Sequence, residues 1–167
     1  MKKTLGFFVV AAAIAIPSAA HAQASADITA IAQVATQLSV TAGNDLDFGT
    51  VLPGFNSTVD VIDGGAGSFS LNGAAGAEVQ LSFALPADLD DGSGNLLPVS
   101  GWSGAHNGVN DPAAGATAFD PTTGDAGNLS GAGELFVFLG ATADATSQFT
   151  PGTYSATITL TAAYTGN

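Results

Sequence analysis

The sequence predicts an all-β fold, and specifically an antiparallel β-sandwich. Apolar residues recur with a period of two rather than 3.6, which indicates half-buried strands rather than helices. The chain contains 22 glycines among 167 residues, and many of them lie with Asp, Asn and Pro between the strand patterns, where they favour turns. No stretch combines helical periodicity with capping residues. Several short strands separated by such turns are typical of a sandwich.

Residues 1–22 have the composition of a secretory signal peptide. Lys2 and Lys3 precede the apolar stretch LGFFVVAAAIAI, and Ala20-His21-Ala22 supplies the small residues that a signal peptidase reads. The apolar stretch is too short for a stable membrane anchor, and no other long apolar run follows. We therefore expect an exported protein, in the periplasm, at the cell surface or outside the cell. Residues 23–167 are expected to form a single domain without a transmembrane segment.

The strand patterns follow one another along this domain. ITAIAQVATQLSV alternates from Ile28 to Val40, LDFGTV and STVDVI come after turns, and AEVQLSFAL alternates next. ELFVFLGA is apolar on both faces, which predicts a central strand. The closing pattern runs from Tyr154 to Tyr164 with apolar or aromatic residues at every second position. Residues 86–131 are the least strand-like, and we expect extended loops there with one or two irregular strands.

The charge balance excludes several classes of partner. Beyond Lys3 the sequence contains no Lys or Arg, whereas the whole chain has 14 acidic residues. Nucleic acid is excluded because its binding needs cationic side chains, and an anionic membrane surface is equally unfavourable. The acidity is interpreted as a source of solubility and mutual repulsion. The chain also has no cysteine, which excludes thiol catalysis and thiolate zinc sites.

The sequence contains no recognisable catalytic arrangement. His106 is the only histidine beyond residue 22, and the nearby Ser103 does not lie in a G-x-S-x-G nucleophile pattern. Several aspartates stand beside Gly or Asn, where their side chains bond the local backbone of turns. We therefore predict no catalytic residue and a non-enzymatic protein. An enzyme that uses loop carboxylates is the weakest alternative.

One segment, DLDDGSGN, is the best candidate for a metal site. Asp88, Asp90, Asp91 and Asn95 place oxygen ligands on a glycine-bearing loop, which suits calcium. The spacing differs from the EF-hand pattern, so a plain acidic turn is the alternative. No other cofactor is expected.

Both ends of the domain resemble a family of secreted bacterial proteins known as domain of unknown function 4402. The resemblance rests on the opening ASADITAIAQVATQLSV, on Leu-Asp-Phe-Gly-Thr-Val at 46–51 and on Pro-Gly-Thr-Tyr at 151–154. The same opening is similar to spore-coat-U-type and archaic chaperone–usher pilus subunits. This resemblance implies an Ig-like, pilin-like sandwich.

The resemblance also implies a mode of assembly. Pilus subunits of that kind lack one strand, and the resulting groove is filled by a periplasmic chaperone and then by the N-terminal extension of the next subunit. A chaperone reads a glycine and a tyrosine twelve residues apart, here Gly152 and Tyr164, with Tyr154 on the same face. Ile28 and Ile31 would be the bulky residues of a donor segment at 23–32.

Two functions follow as hypotheses. The first is a structural subunit of a fimbria, surface fibre or coat, homopolymeric and assembled by β-strand donation with a chaperone and usher. The second is a self-complete secreted sandwich, with residues 27–41 as its first strand, that binds a ligand or carbohydrate through the 86–131 loops.

Overall fold

The computed structural model describes residues 24–32, 36–146 and 149–166. The predicted signal peptide therefore lies outside the described residues. Within them no helix is long and apolar enough to span a membrane. The strands that the structure describes all belong to the unit Val34–Asn167, and they form an all-β antiparallel sandwich, as the sequence predicts.

The described residues contain ten strands, numbered here in chain order. They are β1 (Ser39–Ala42), β2 (Ser57–Val59), β3 (Gly67–Asn72), β4 (Glu78–Ala84), β5 (Asp88–Asp90), β6 (Leu96–Asn107), β7 (Thr117–Phe119), β8 (Asp125–Asn128), β9 (Glu134–Ala143) and β10 (Thr159–Tyr164).

The larger sheet has seven strands, with β9 at its centre. β9 pairs with β3 and β2 on one side and with β6 on the other. β1 pairs with β3 at one edge, and β5 and β7 pair with β6 at the opposite edge. Five of the last six residues of β9 are buried. The central position predicted for this strand is therefore confirmed.

The smaller sheet has β4 in the middle, flanked by β10 and β8. Alternate residues of the two sheets face each other and form the main core, because side chains of a strand point to opposite faces in turn. The buried members of this core are Leu71, Val79, Leu81, Leu129, Leu135, Val137 and Leu160.

The strand registers give the sandwich two ends. At one end β3 and β4 are joined by the turn 73–77, which lies against the turn 129–133 through the bond from the Gly73 amide to the Gly133 carbonyl; we call this the turn end. At the other end the loop 52–56 lies against 144–146 through the bond from the Gly54 amide to the Ala145 carbonyl; we call this the loop end.

The interpretation of residues 86–131 as extended loops is wrong. Four strands lie there, β5 to β8, and β6 is the longest of those described, with 12 residues. A β-bulge between Ser100 and Ser103 interrupts its alternation, and Gly101 takes a positive φ of 60° at that point. The strand also carries Gly and Ala where bulky residues would mark a strand in the sequence.

The other differences concern where strands begin. Residues 24–32 are exposed and form no strand, and among the described residues the first strand starts at Ser39 rather than near Ile28. LDFGTV forms no strand, and STVDVI contributes only β2.

The closing strand begins at Thr159 instead of Tyr154. Thr159 pairs with Ala84, the last residue of β4. Pro86 follows two residues later and has no amide to donate, so the ladder stops there. Upstream of β10, only Ser155 makes an isolated bridge, to Asp90.

Candidate functional site

The sandwich is open along the edge where β1 faces the chain that precedes β10. Val40 and Ala42 pair in register with Leu71 and Phe69 of β3, so their side chains lie on the core-facing side of the sheet. Val40 is nevertheless 37% exposed, and Ala42 is exposed as well. The core-facing side of β1 is therefore not covered by the smaller sheet.

A groove of about 820 Å³ lies at this open edge. One wall is formed by residues 42–51 and the other by 149–158; these are called the β1 wall and the β10 wall. Its lining is rich in aromatic side chains, namely Phe48, Phe69, Trp102, Phe149 and Tyr154.

The floor of the groove is a second apolar cluster, separate from the main core. Its buried members are Leu97, Ala143 and Ala145. Five larger side chains pack against them and are only partly buried: Phe48, Val51, Leu89, Phe149 and Tyr154. Apolar surface left in contact with water is a loss of about 25 cal/mol per Å² relative to its burial. The core is thus complete towards the turn end and incomplete in the groove.

Both walls present a strand edge to the groove. In the β1 wall, the amides of Gly43 and Asp47 donate to the carbonyls of Ser68 and Gly65, each at 2.8 Å. These bonds join the wall to the start of β3 and to the residues just before it, and β1 has no strand partner on its other side within the described sheet. An edge of this kind offers unpaired amides and carbonyls to another chain.

The β10 wall makes still fewer backbone hydrogen bonds than the β1 wall. Ser155 exchanges two backbone hydrogen bonds with Asp90, both 3.0 Å. Residues 156–158 form no backbone hydrogen bond with any other residue that the structure describes. Two free strand edges therefore border an apolar floor.

The groove is closed at the turn end by Tyr164. Its hydroxyl accepts a hydrogen bond from the Ala74 amide at 2.7 Å and donates one to the Thr36 carbonyl at 2.9 Å. Thr36 and Tyr164 meet here, whereas Ala42 and Ile158, each six residues away, both line the groove. The two walls therefore run in opposite directions from a fixed meeting point and separate towards the loop end.

The residues predicted for strand exchange fall into three places. Gly152 and Tyr154 lie on the β10 wall, whereas Tyr164 lies at the turn end, with its hydroxyl bonded within the chain. Gly152 and Tyr164 do not share one regular strand, because β10 begins at Thr159. Ile28 and Ile31 are 95% and 89% exposed and belong to no strand.

The carboxylates of DLDDGSGN serve the turn that they occupy. Asp91 accepts bonds from the amides of Ser93 and Asn95 and from the side-chain amide of Asn95 at 2.6 Å. Asp90 accepts from the Gly92 amide at 2.7 Å. The bond from the Asn95 side chain, then that from Ser93, lowers the pKa of Asp91 below its ordinary value. Among the described residues no group of three acidic or histidine side chains could hold a metal ion.

This turn supports the β10 wall. The Tyr154 hydroxyl donates to the Thr150 carbonyl at 2.7 Å, and the Thr150 hydroxyl lies 3.5 Å from Asn95 Oδ1. Partial burial, and then the negative charge of Asp91, raises the pKa of Tyr154. The four predicted ligands, Asp88, Asp90, Asp91 and Asn95, thus lie close together. The hydrogen bonds of Asp90, Asp91 and Asn95 hold their own loop and support the β10 wall.

His106 connects the two sheets. Its Nε2 lies 3.0 Å from Asp125 Oδ2, with the His106 side chain 11% exposed. His106 is on β6 of the larger sheet and Asp125 on β8 of the smaller one. Ser103 is three positions away on the same strand and therefore points to the opposite face. The two residues cannot act together as nucleophile and base.

Several groove residues were not predicted as site residues, among them Phe48, Trp102 and Phe149. The alternation of Leu46 and Phe48 in LDFGTV was a usable signal for one apolar wall. Nothing in the sequence indicates that this wall faces residues 149–158, about a hundred positions later.

No protein-family model and no curated protein matches the chain. The resemblance to secreted and pilus-subunit families therefore stays a prediction.

Proposed function

We propose that the protein is an exported, non-enzymatic structural subunit of a surface fibre or coat, in which each copy accepts a β-strand from another. The observation that supports this proposal is the groove between the two free strand edges, above an apolar floor of partly buried side chains. A chaperone and usher would be its partners during export.

A strand fits this groove better than a small molecule does. An inserted strand bonds to the backbone of both walls, as in other cases of β-strand addition, and buries alternate side chains on the floor. Because the walls run in opposite directions, the strand is antiparallel to one and parallel to the other. The alternative, ligand binding through the 86–131 loops, has less support, because four strands occupy much of that segment.

The donor in this proposal is the segment 23–32 of the next copy. Its described part is exposed and in no strand, and its ten residues span about 33 Å when extended. Ile28, Ala30 and Ala32 share one face of such a strand, and Ile31 faces the other way. Ala24 and Ala26 lie on the same face as Ile28, so the inserted face would carry one bulky residue and four small ones.

A peptide-complementation experiment tests the proposal. The variant that lacks residues 1–32 is mixed with the synthetic peptide QASADITAIA, which has the sequence of residues 23–32. Binding of the folded state alone stabilises a protein by about 2.7 kcal/mol at a hundredfold excess over Kd. We therefore expect the melting temperature to rise by several degrees. The same peptide with Ile28→Asp and Ile31→Asp serves as the control and should give no rise.

A matched pair of substitutions on β1 locates the binding. Ala42→Asp adds a charge on the groove side, whereas Thr41→Asp adds the same charge on the outer face of the same strand. We expect Ala42→Asp to abolish the response to the peptide and Thr41→Asp to retain it. A full-length protein that stays a monomer, unfolds cooperatively and ignores the peptide would sink the proposal, because a sandwich with an empty strand position exposes an apolar groove.

A further inference from the structure

We infer that successive copies also contact each other through their folded bodies, with the loop 52–55 of the acceptor packed on the turn end of the donor. This inference rests on the proposed function. It adds a second surface to the interface, outside the groove, and fixes the relative orientation of the two copies.

The loop 52–55 carries two large exposed apolar side chains. Leu52 is 60% exposed and Phe55 is 70% exposed. The loop is held in place by the bond from the Phe55 amide to the Leu52 carbonyl, at 3.0 Å, and by the bond of Gly54 to Ala145. Gly54 has a φ of 89°, which favours glycine there. Single exposed apolar residues are common, but this pair stands on a fixed turn.

The position of the loop connects it to the groove. Val51 and Pro53 line the groove, so Leu52 and Phe55 stand at its rim. Tyr164 closes the groove at the turn end. A donor strand must therefore enter from the loop end and pass beside these two side chains.

The donor segment joins its own body at the opposite end. Thr36, the first described residue after position 32, is bonded to Tyr164 at the turn end. If residues 23–32 fill the groove, three residues separate the strand from Thr36. The four residue steps from position 32 to Thr36 span at most about 14 Å. The donor's turn end must then lie directly against the acceptor's loop end.

The charge distribution favours a contact between copies at these two surfaces. The segment from Phe48 to Val59 contains no charged residue, and neither do the turns 73–77 and 129–133. Asp144 is the acidic residue of the loop end, and its carboxylate accepts hydrogen bonds from the Asn56 side chain and the Ser100 hydroxyl. The whole chain has 14 acidic residues, so most other faces of two copies would repel each other. Ala75 and Ala132 are exposed on the turns of the turn end and give Phe55 an uncharged surface on which to pack.

Cysteine cross-linking tests this contact cleanly, because the native chain has no cysteine. The full chain beyond residue 22 carries Phe55→Cys and Ala75→Cys, and polymers are oxidised and run on a non-reducing gel. We expect a ladder of covalent oligomers that reductant removes. The control carries Phe55→Cys and Ser82→Cys, since Ser82 is exposed within β4, farther from the turn end, and should give no ladder.

The outcomes separate the two proposals. Polymers detected by light scattering without a 55–75 ladder, or with an equal ladder in the control, overturn the body contact and leave strand donation standing. An absence of polymers under both redox conditions overturns both. A further variant, Leu52→Ser with Phe55→Ser, should shorten the polymers while the peptide QASADITAIA still raises the melting temperature of the corresponding truncated chain. Unchanged polymer length in this variant contradicts the inference.

Discussion

The hydroxyl of Tyr164 joins three parts of the chain that are distant in sequence. It bonds the Ala74 amide and the Thr36 carbonyl from the end of β10. Tyr164→Phe leaves the partly buried Ala74 amide without this acceptor, which costs about 1–3 kcal/mol. We expect the free energy of unfolding, measured in urea, to fall by that amount.

Tyr154→Phe is the matched control for this residue. The Tyr154 hydroxyl donates to the Thr150 carbonyl in an exposed position, where water replaces the lost partner. We expect a clearly smaller loss of stability than for Tyr164→Phe. Equal losses in the two variants would show that the Tyr164 bonds to Ala74 and Thr36 stabilise the fold no more than an exposed hydroxyl bond does.

Single residues also show that the sequence does not distinguish two uses of the same side chain. The aspartates of DLDDGSGN indicate oxygen ligands on a loop, and the structure does place them on one. Asp91 nevertheless directs its oxygens to Ser93 and Asn95. Calcium ligation and turn capping use the same residue types, so composition cannot distinguish them.

At the scale of elements, the packing of β6 requires a glycine at position 104. Gly104 lies beneath the ring of Phe119, and a Cβ at this position would stand 2.5 Å from Phe119 Cζ. The ring is held between Phe83 and His106, with centroids at 5.6 Å and 5.8 Å. We expect Gly104→Ala to cost about 1–3 kcal/mol through overpacking, measured by thermal or urea unfolding.

Gly131→Ala is the control that replaces a glycine by alanine without causing a steric clash. A Cβ at Gly131 meets no atom within 4 Å, and its φ is not positive. We expect stability to stay within about 0.5 kcal/mol of the native value or to rise slightly. A Gly104→Ala variant as stable as Gly131→Ala would mean that the Phe119 ring moves aside freely.

The same strand explains which elements the sequence reveals. β4, β9 and β10 alternate or cluster bulky apolar residues, and the pattern reveals these strands, although β10 begins five residues after the pattern does. β6 packs through Gly104 and Ala105 and shifts register at its bulge. Its strand character comes from partners on both sides, which a local pattern does not contain.

At the scale of the whole molecule, the fold class is predictable and the groove is not. Both walls carry short family-like motifs, at 46–51 and 151–154, and each motif is visible by itself. Their positions on opposite walls depend on where β1 ends, where β10 begins and on the closure at Tyr164. Those features arise from pairings with β3 and β4, so the groove emerges only in three dimensions.

At the same scale, the negative charge of the molecule predicts how salt changes the rate of polymerisation. This prediction distinguishes a second copy from a basic partner as the occupant of the groove. Beyond residue 22, with histidine counted as neutral, all formal side-chain charges are negative, so two copies repel each other as they approach. The Debye length falls from about 30 Å at 0.01 M salt to about 8 Å at 0.15 M. We therefore expect polymerisation of the purified chain beyond residue 22, followed by light scattering, to accelerate over this range of NaCl.

Melting temperatures at each salt concentration control for changes in the stability of the fold. Association with a cationic strand from another protein would instead slow with salt, because screening removes its attraction. Polymerisation that slows in NaCl would contradict donation between copies.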